Sequence, residues 1–349
     1  GSSMSTSDQN IGPIVPMGSL IDAIGCVVSW SKGALQIQRP IRGLLPVEDC
    51  GGCPQIPRKL ALELISEIED CNKGVSLNRL DIEEELGWMR RLLQAHPVLS
   101  RLPDWLQKKL VVQPGEWESL PLNRRQRRTL KTEGFALHLY SGEDSGHTLQ
   151  RSMRCQGSKT RRLLEVDVKK GQAYDMLADE GIYATLLRAA LSGKILAVLG
   201  GPNCRSRSVL RHRPIEGQPW APRPVRCWEG GEFGAHWINK KEEKMIQEDD
   251  TLLWRMIFLY MISEYVRKAQ LRPDPVHFAL EQPASPKTYQ PAAVSFWDTT
   301  EWHDLRKEFQ LKEVTFNQGC LGGMATKPTT LGTTFDLCLE DHKMGPLLP

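Results

Sequence analysis

A chain of 349 residues, 40% hydrophobic and 25% charged, has the composition of an ordinary globular protein, with room for two domains at roughly 150 residues each. Every apolar run falls short of the ~20 residues a spanning helix needs, which excludes a helical membrane protein and predicts no membrane partner. The formal net charge is only +3, but arginines cluster in "NRRQRRTLK" (123–131), "RSMRCQGSKTRR" (151–162) and "RSRSVLRHR" (205–213); each cluster alone reads as a solvated loop, while the three together point to a polyanion.

The opening "GSSMSTSDQN" (1–10) is small and polar and reads as a tag and flexible lead-in. No secretory leader is recognisable, and the nine cysteines are irregularly spaced. Both features predict free thiols in an intracellular protein, nuclear or cytoplasmic. Residues 11–47 are short apolar stretches broken by glycine and proline. Within them "CVVSWSKGALQIQ" predicts a β-hairpin turning at Lys32-Gly33, with Val28, Trp30, Leu35 and Ile37 in its strands. Residues 48–132 read as a helical region. It begins with "CGGC" (50–53), better explained as a turn than as half of a zinc site, because no second ligand pair stands at knuckle spacing. "PRKLALELISEIEDCNKG" is a helix opened by Pro57 and closed by Gly74. One or two more follow, with Trp88, Leu92, Leu93 and Trp105 as their apolar stripe.

From about residue 133 to 349 the pattern becomes alternating strands and helices. Strands are predicted in "GFALHLYSG", "RRLLEVDVKKG", "KILAVLGGP", "VHFALEQP" and "EVTFNQG". Helices are predicted in "YATLLRAALSG", in the long apolar "EDDTLLWRMIFLYMISEYVRKAQ" and in "WDTTEWHDLRKEFQL", with a Pro/Arg/Gly-rich loop from Asn203 to about Asn239. Such alternation predicts an α/β fold around a Rossmann-like, doubly wound, mostly parallel sheet. Ligands in such sheets sit beyond the carboxyl ends of the strands. Those ends carry Tyr140-Ser141-Gly142 with Gly146 beyond, then Glu165 and Asp167, then Pro202-Asn203-Cys204, and finally Glu281-Gln282-Pro283.

In this order the motifs "LYSGEDSG", "LEVD", "GGPNC" and "ALEQP" resemble those of the cytosine-5 DNA methyltransferase family. The resemblance covers about residues 135–335. The whole chain also resembles a segment of dinoflagellate retroelement polyproteins, in which the hairpin of 11–47 would be a protease-like remnant, here without an Asp-Ser/Thr-Gly triplet. The methyltransferase resemblance implies S-adenosylmethionine as cofactor, bound by Tyr140, Ser141, Gly142, Gly146, Glu165, Asp175 and Pro202. It implies Cys204 as the nucleophile that adds to C6 of a cytosine, and Glu281 as the acid at N3. The partner would be nucleic acid, DNA or RNA, with Arg205, Arg207, Arg211 and Arg213 on its phosphates; Arg205 and Arg207 would also favour the thiolate if they turn toward it.

This chain departs from the family pattern at Asn203, where the family has proline, and at Gln282, where it has asparagine. Three alternatives stand beside the enzymatic reading. Cys204 can be a small residue packed in a turn, Glu281 can be a capping acid, and the whole can be a catalytically degenerate module that binds nucleic acid or protein within a polyprotein. His212 and His236 read as solvated loop residues.

Overall fold

The structure is a computed structural model that describes residues 15, 17–22, 26–31, 34–39, 43–50, 53–76, 82–143, 149, 162–213, 222–321 and 327–337. The chain forms two compact units, Gly1–Leu80 and Asp81–Pro349. The helical stretch expected over 48–132 therefore contributes to both.

In the first unit, α1 (Met17–Asp22) is followed by strands β1 (Val27–Ser31), β2 (Ala34–Arg39) and β3 (Gly43–Leu44), which form an antiparallel sheet in that order. Trp30 stands opposite Leu35, and Val28 opposite Ile37, the register the alternating pattern predicts. The "CGGC" segment joins a short antiparallel pair, β4 (Glu48–Cys50) and β5 (Cys53–Gln55), with Cys50 opposite Cys53. Helix α2 (Arg58–Ser76) follows. Leu64 and Ile68 of α2 pack with Leu20, Cys26 and Ile37 in a small core.

The second unit opens with α3 (Ile82–Ala95), α4 (Asp104–Leu110) and α5 (Arg124–Glu133). It continues with β6 (Phe135–Leu139), β7 (Leu163–Val166), α6 (Ile182–Leu191), β8 (Ile195–Gly200), α7 (Lys240–Ala269) and β9 (His277–Pro283). Helix α8 (Thr300–Glu308) and strands β10 (Lys312–Asn317) and β11 (Pro328–Thr333) complete it. The six strands lie in the order β10-β11-β9-β8-β6-β7. Strands β7, β6, β8 and β9 pair in parallel, and β11 runs antiparallel between β9 and β10. The fold is thus α/β with a mostly parallel, mixed sheet, preceded in the chain by a small antiparallel hairpin and helices.

Alternation sets the two faces of the sheet. Phe135, Leu137, Leu139, Leu164, Val166, Phe278 and Leu280 are buried in one core with side chains of α3 to α7. Ala136, His138, Leu163, Glu165, His277 and Ala279 point the other way and are half-buried. Helix α7 spans 30 residues and starts with a capping box in which Asn239 accepts from the Glu242 amide and the Glu242 side chain accepts from the Asn239 amide. Arg255 in its middle is fully buried. Its guanidinium donates to the carbonyls of Lys109, Met176 and Ala178, pairs with Asp179, and lies 4.1 Å from the Tyr183 ring centroid. That many donors satisfied at once is what makes a buried arginine tolerable, and it fixes the segment just after Asp175. Among the described residues no helix is long and apolar enough to cross a membrane.

Candidate functional site

The chain leaves β6 for β7 on one side, then returns past β6 to form β8 on the other. The strand order therefore reverses between β6 and β8, and the crevice beyond their carboxyl ends is the place where open α/β sheets bind ligands. The two strands close tightly there: a Cβ on Gly200 would lie 2.5 Å from the Leu139 carbonyl oxygen, so only glycine fits.

Tyr140 ends β6 with φ +58°, a left-handed conformation that costs a bulky residue about 1–3 kcal/mol. It is held there by its amide, which donates to the Val166 carbonyl at 2.7 Å, and its hydroxyl, which donates to the Leu252 carbonyl at 2.6 Å. Burial keeps this phenol far above the usual tyrosine range. Gly142 also has positive φ, +76°, and among the described residues nothing lies within 4 Å of where its Cβ would be. Its amide donates to Asp167 Oδ2 at 2.8 Å. Between them the Ser141 hydroxyl is buried with no hydrogen-bond partner among the described residues. Among the described residues, then, this turn has space at its glycine and an unsatisfied hydroxyl at its centre, the features of a cradle that a polar group can fill.

The two acids expected near the cofactor lie differently. Glu165 is inside β7, opposite His138, on the half-buried face of the sheet. Lys170 neutralises it at 2.9 Å. Burial holds the His138 imidazole below its usual range, with Glu165 opposing. The carboxylate that meets the Gly142 turn is that of Asp167. Asp175 is tied locally, accepting from the Leu177 amide at 2.9 Å and from Gln172 Nε2 at 3.1 Å. Gly146 lies outside the described residues.

At the ends of β8 and β9 the two proposed catalytic groups share one neighbourhood. Buried Gln282 donates to the Pro202 carbonyl at 2.8 Å and so joins the end of β9 to the turn that carries Cys204. Gly201 lies under the Glu281 side chain, because a Cβ there would meet Glu281 Oε2 at 2.5 Å. Lys327 donates to Glu281 Oε1 at 3.1 Å. The Cys204 thiol is half-buried, and burial pushes it above the usual thiol range. The Lys327 ammonium opposes that shift, while Glu281 and Asp249 add to it.

Arg205 and Arg207, which would favour the thiolate only by turning toward it, are paired with carboxylates of α7 instead. Arg205 donates to Asp249 at 2.7 Å and to Glu248 at 2.5 Å. Arg207 is buried against Asp250 at 3.2 Å, which leaves Nη1 unpartnered, and desolvation pulls it down to about 10. Arg211 donates to the carbonyls of Arg205 and Arg223. These guanidinium groups clamp the 205–211 turns onto the first half of α7, whereas Arg213 is exposed. Sequence reasoning also missed Lys327. The only trace of it was the loosely matching "KPTTLGTTF", in which the single basic residue precedes a run that looks like a loop. Among the described residues no cluster of side chains could hold a metal ion. No family model, no curated protein and no solved structure matches the chain.

Proposed function

We propose that the chain is an S-adenosylmethionine-dependent, cytosine-5 methyltransferase-like protein acting on nucleic acid. The observation that carries this reading is the meeting of Cys204, Glu281 and Lys327 at adjacent strand ends, next to a strand-order reversal that carries the Tyr140-Ser141-Gly142 turn. The finer reading of the fold, a doubly wound methyltransferase-like domain, goes with it. The residues present suit the cofactor: among the described residues the unpaired Ser141 hydroxyl and the open Gly142 turn fit its polar portion, and Tyr140 and Pro202 follow the ends of β6 and β8. When bound, S-adenosylmethionine supplies an electrophilic methyl group.

The protein's own residues have three tasks. Cys204, as thiolate, adds to C6 of the pyrimidine and makes C5 nucleophilic. The Glu281 carboxyl, carrying a proton on the oxygen that Lys327 does not hold, donates it to N3 and so balances the charge that develops on the ring. Lys327 pairs with Glu281 and, among the described residues, favours the thiolate. A base in a duplex reaches such a site only when extruded from the stack.

One observation favours a second reading, a degenerate module that binds nucleic acid without turnover: burial raises the Cys204 thiol, the opposite of what an activated nucleophile needs. Isothermal calorimetry of the purified chain with S-adenosylmethionine tests the cofactor half of the proposal. Saturable binding that weakens in Ser141→Ala supports it, and no heat at any concentration rejects it.

A further inference from the structure

Arg205, Arg207 and Arg211 make internal bonds, whereas Arg213 is exposed, and a second set of exposed cations lies earlier in the same unit. The first basic cluster, "NRRQRRTLK", is a helix, α5. Its start is fixed by a capping box between Asn123 and Gln126. Leu130 is its one buried side chain, and Arg127 anchors it by donating to the carbonyls of Leu120 and Leu122. Arg124, Arg125, Arg128 and Lys131 are all exposed, and among the described residues none of their side chains makes a hydrogen bond or an ion pair. The single acid of the helix, Glu133, is taken by Arg162 at 2.6 Å. At 100° per residue the four free cations fall within an arc of about 120° and span about 10 Å along the axis. The anchors Arg127 and Leu130 lie outside that arc.

The helix is also well placed. The Tyr174 hydroxyl donates to the Pro121 carbonyl at 3.0 Å, which ties the segment leading into α5 to the short turn that precedes Asp175. The other end of α5 passes through Gly134 directly into β6.

We infer that the exposed face of α5 binds the phosphate backbone of a nucleic-acid duplex. Four unpaired cations in a short rigid row are complementary to closely spaced phosphates. The face bears no aromatic side chain, and single-strand binders rely on aromatic stacking platforms. The inference rests on the nucleic-acid half of the proposed function and not on catalysis, and its test needs neither cofactor nor turnover.

Fluorescence anisotropy of the intact chain with a labelled 20-base-pair DNA duplex, titrated from low to high salt, reads the contacts directly. Each neutralised phosphate contributes about 0.9 to the slope of log affinity against log salt. The variant R124Q/R125Q/R128Q/K131Q is expected to flatten that slope by about 3 to 4. A control variant, K240Q/K241Q, removes two exposed lysines at the start of α7 and is expected to leave the slope unchanged. Should the quadruple variant lose its cooperative unfolding, the single substitutions R124Q and R128Q carry the test, each flattening the slope by about 0.9. Three results overturn the inference: no duplex binding by the intact chain, the same slope with and without the four cations, or an equal loss in the control. Tighter binding to single-stranded DNA of equal length, lost in the same variant, overturns the assignment to a duplex. A chain that binds duplex through α5 yet fails to bind S-adenosylmethionine keeps this inference and loses the methyltransferase reading.

Discussion

The side-chain amide of Gln282 donates to the Pro202 carbonyl at 2.8 Å, and this one buried bond ties the strand end bearing Glu281 to the turn bearing Cys204. Gln282→Leu keeps most of the volume but leaves the carbonyl unpaired. It should cost about 1–3 kcal/mol in denaturant unfolding. It should also speed alkylation of Cys204 at fixed pH, because the turn loosens. Unchanged stability and unchanged alkylation would mean that the bond positions nothing.

The turn is clamped from its far side as well. Arg226 closes a two-pronged pair with Asp250, 2.9 Å to each oxygen, and both side chains are buried. Arg207 leans on the same carboxylate. Asp250→Ala strands two buried guanidinium groups and should destabilise the protein by about 3–5 kcal/mol, read from the unfolding midpoint. The double variant Asp250→Ala, Arg226→Met should recover part of that loss, since it also removes one of the charges left unpaired.

Ser141 separates stability from binding by sign. Its buried hydroxyl has no partner among the described residues, so Ser141→Ala should raise stability by about 1 kcal/mol or more. The same change should weaken S-adenosylmethionine binding, because the lost hydroxyl is the group left free for the ligand. A variant that is both less stable and equally competent to bind would contradict the cradle.

The thiol makes a prediction in pH. Burial holds Cys204 above the usual thiol range, with Lys327 pulling down and Glu281 pushing up. Alkylation of Cys204 by iodoacetamide should therefore be slow at neutral pH and rise only in the alkaline range. Removing a cation disfavours the thiolate, so Lys327→Gln should move the profile to still higher pH. Removing an anion favours it, so Glu281→Gln should move it lower. Identical profiles in all three proteins would place Lys327 and Glu281 too far away to matter.

Much of the sheet was legible because its strands are apolar runs ended by glycine or proline, as in "KILAVLGGP" and "VHFALEQP". Strand β11 was not. "PTTLGT" has the composition of a loop, and it is a strand because β9 and β10 pair with it on both sides. Its Gly332 leaves room for the Trp302 ring, a contact between distant segments that no local pattern signals. Helix α5 was hidden for a different reason: with one buried apolar residue it has no hydrophobic periodicity, and its capping box is what marks it. At the site, the order of strand ends singled out Cys204 and Glu281, which lie in the turn after β8 and within β9. The fate of the arginines could not be read, since their carboxylate partners, Glu248, Asp249 and Asp250, lie about forty residues downstream on another element.

If Cys204 is a nucleophile toward cytosine, the bond it forms to C6 can be trapped covalently. An oligonucleotide duplex carrying 5-fluorocytosine, incubated with the protein and S-adenosylmethionine, blocks release of the adduct after the methyl group is added. The expected product is a species resistant to denaturing electrophoresis that requires the cofactor and vanishes in Cys204→Ala. Its absence with DNA and RNA substrates alike, in a protein that still binds nucleic acid, would contradict the enzymatic reading and leave the binding module.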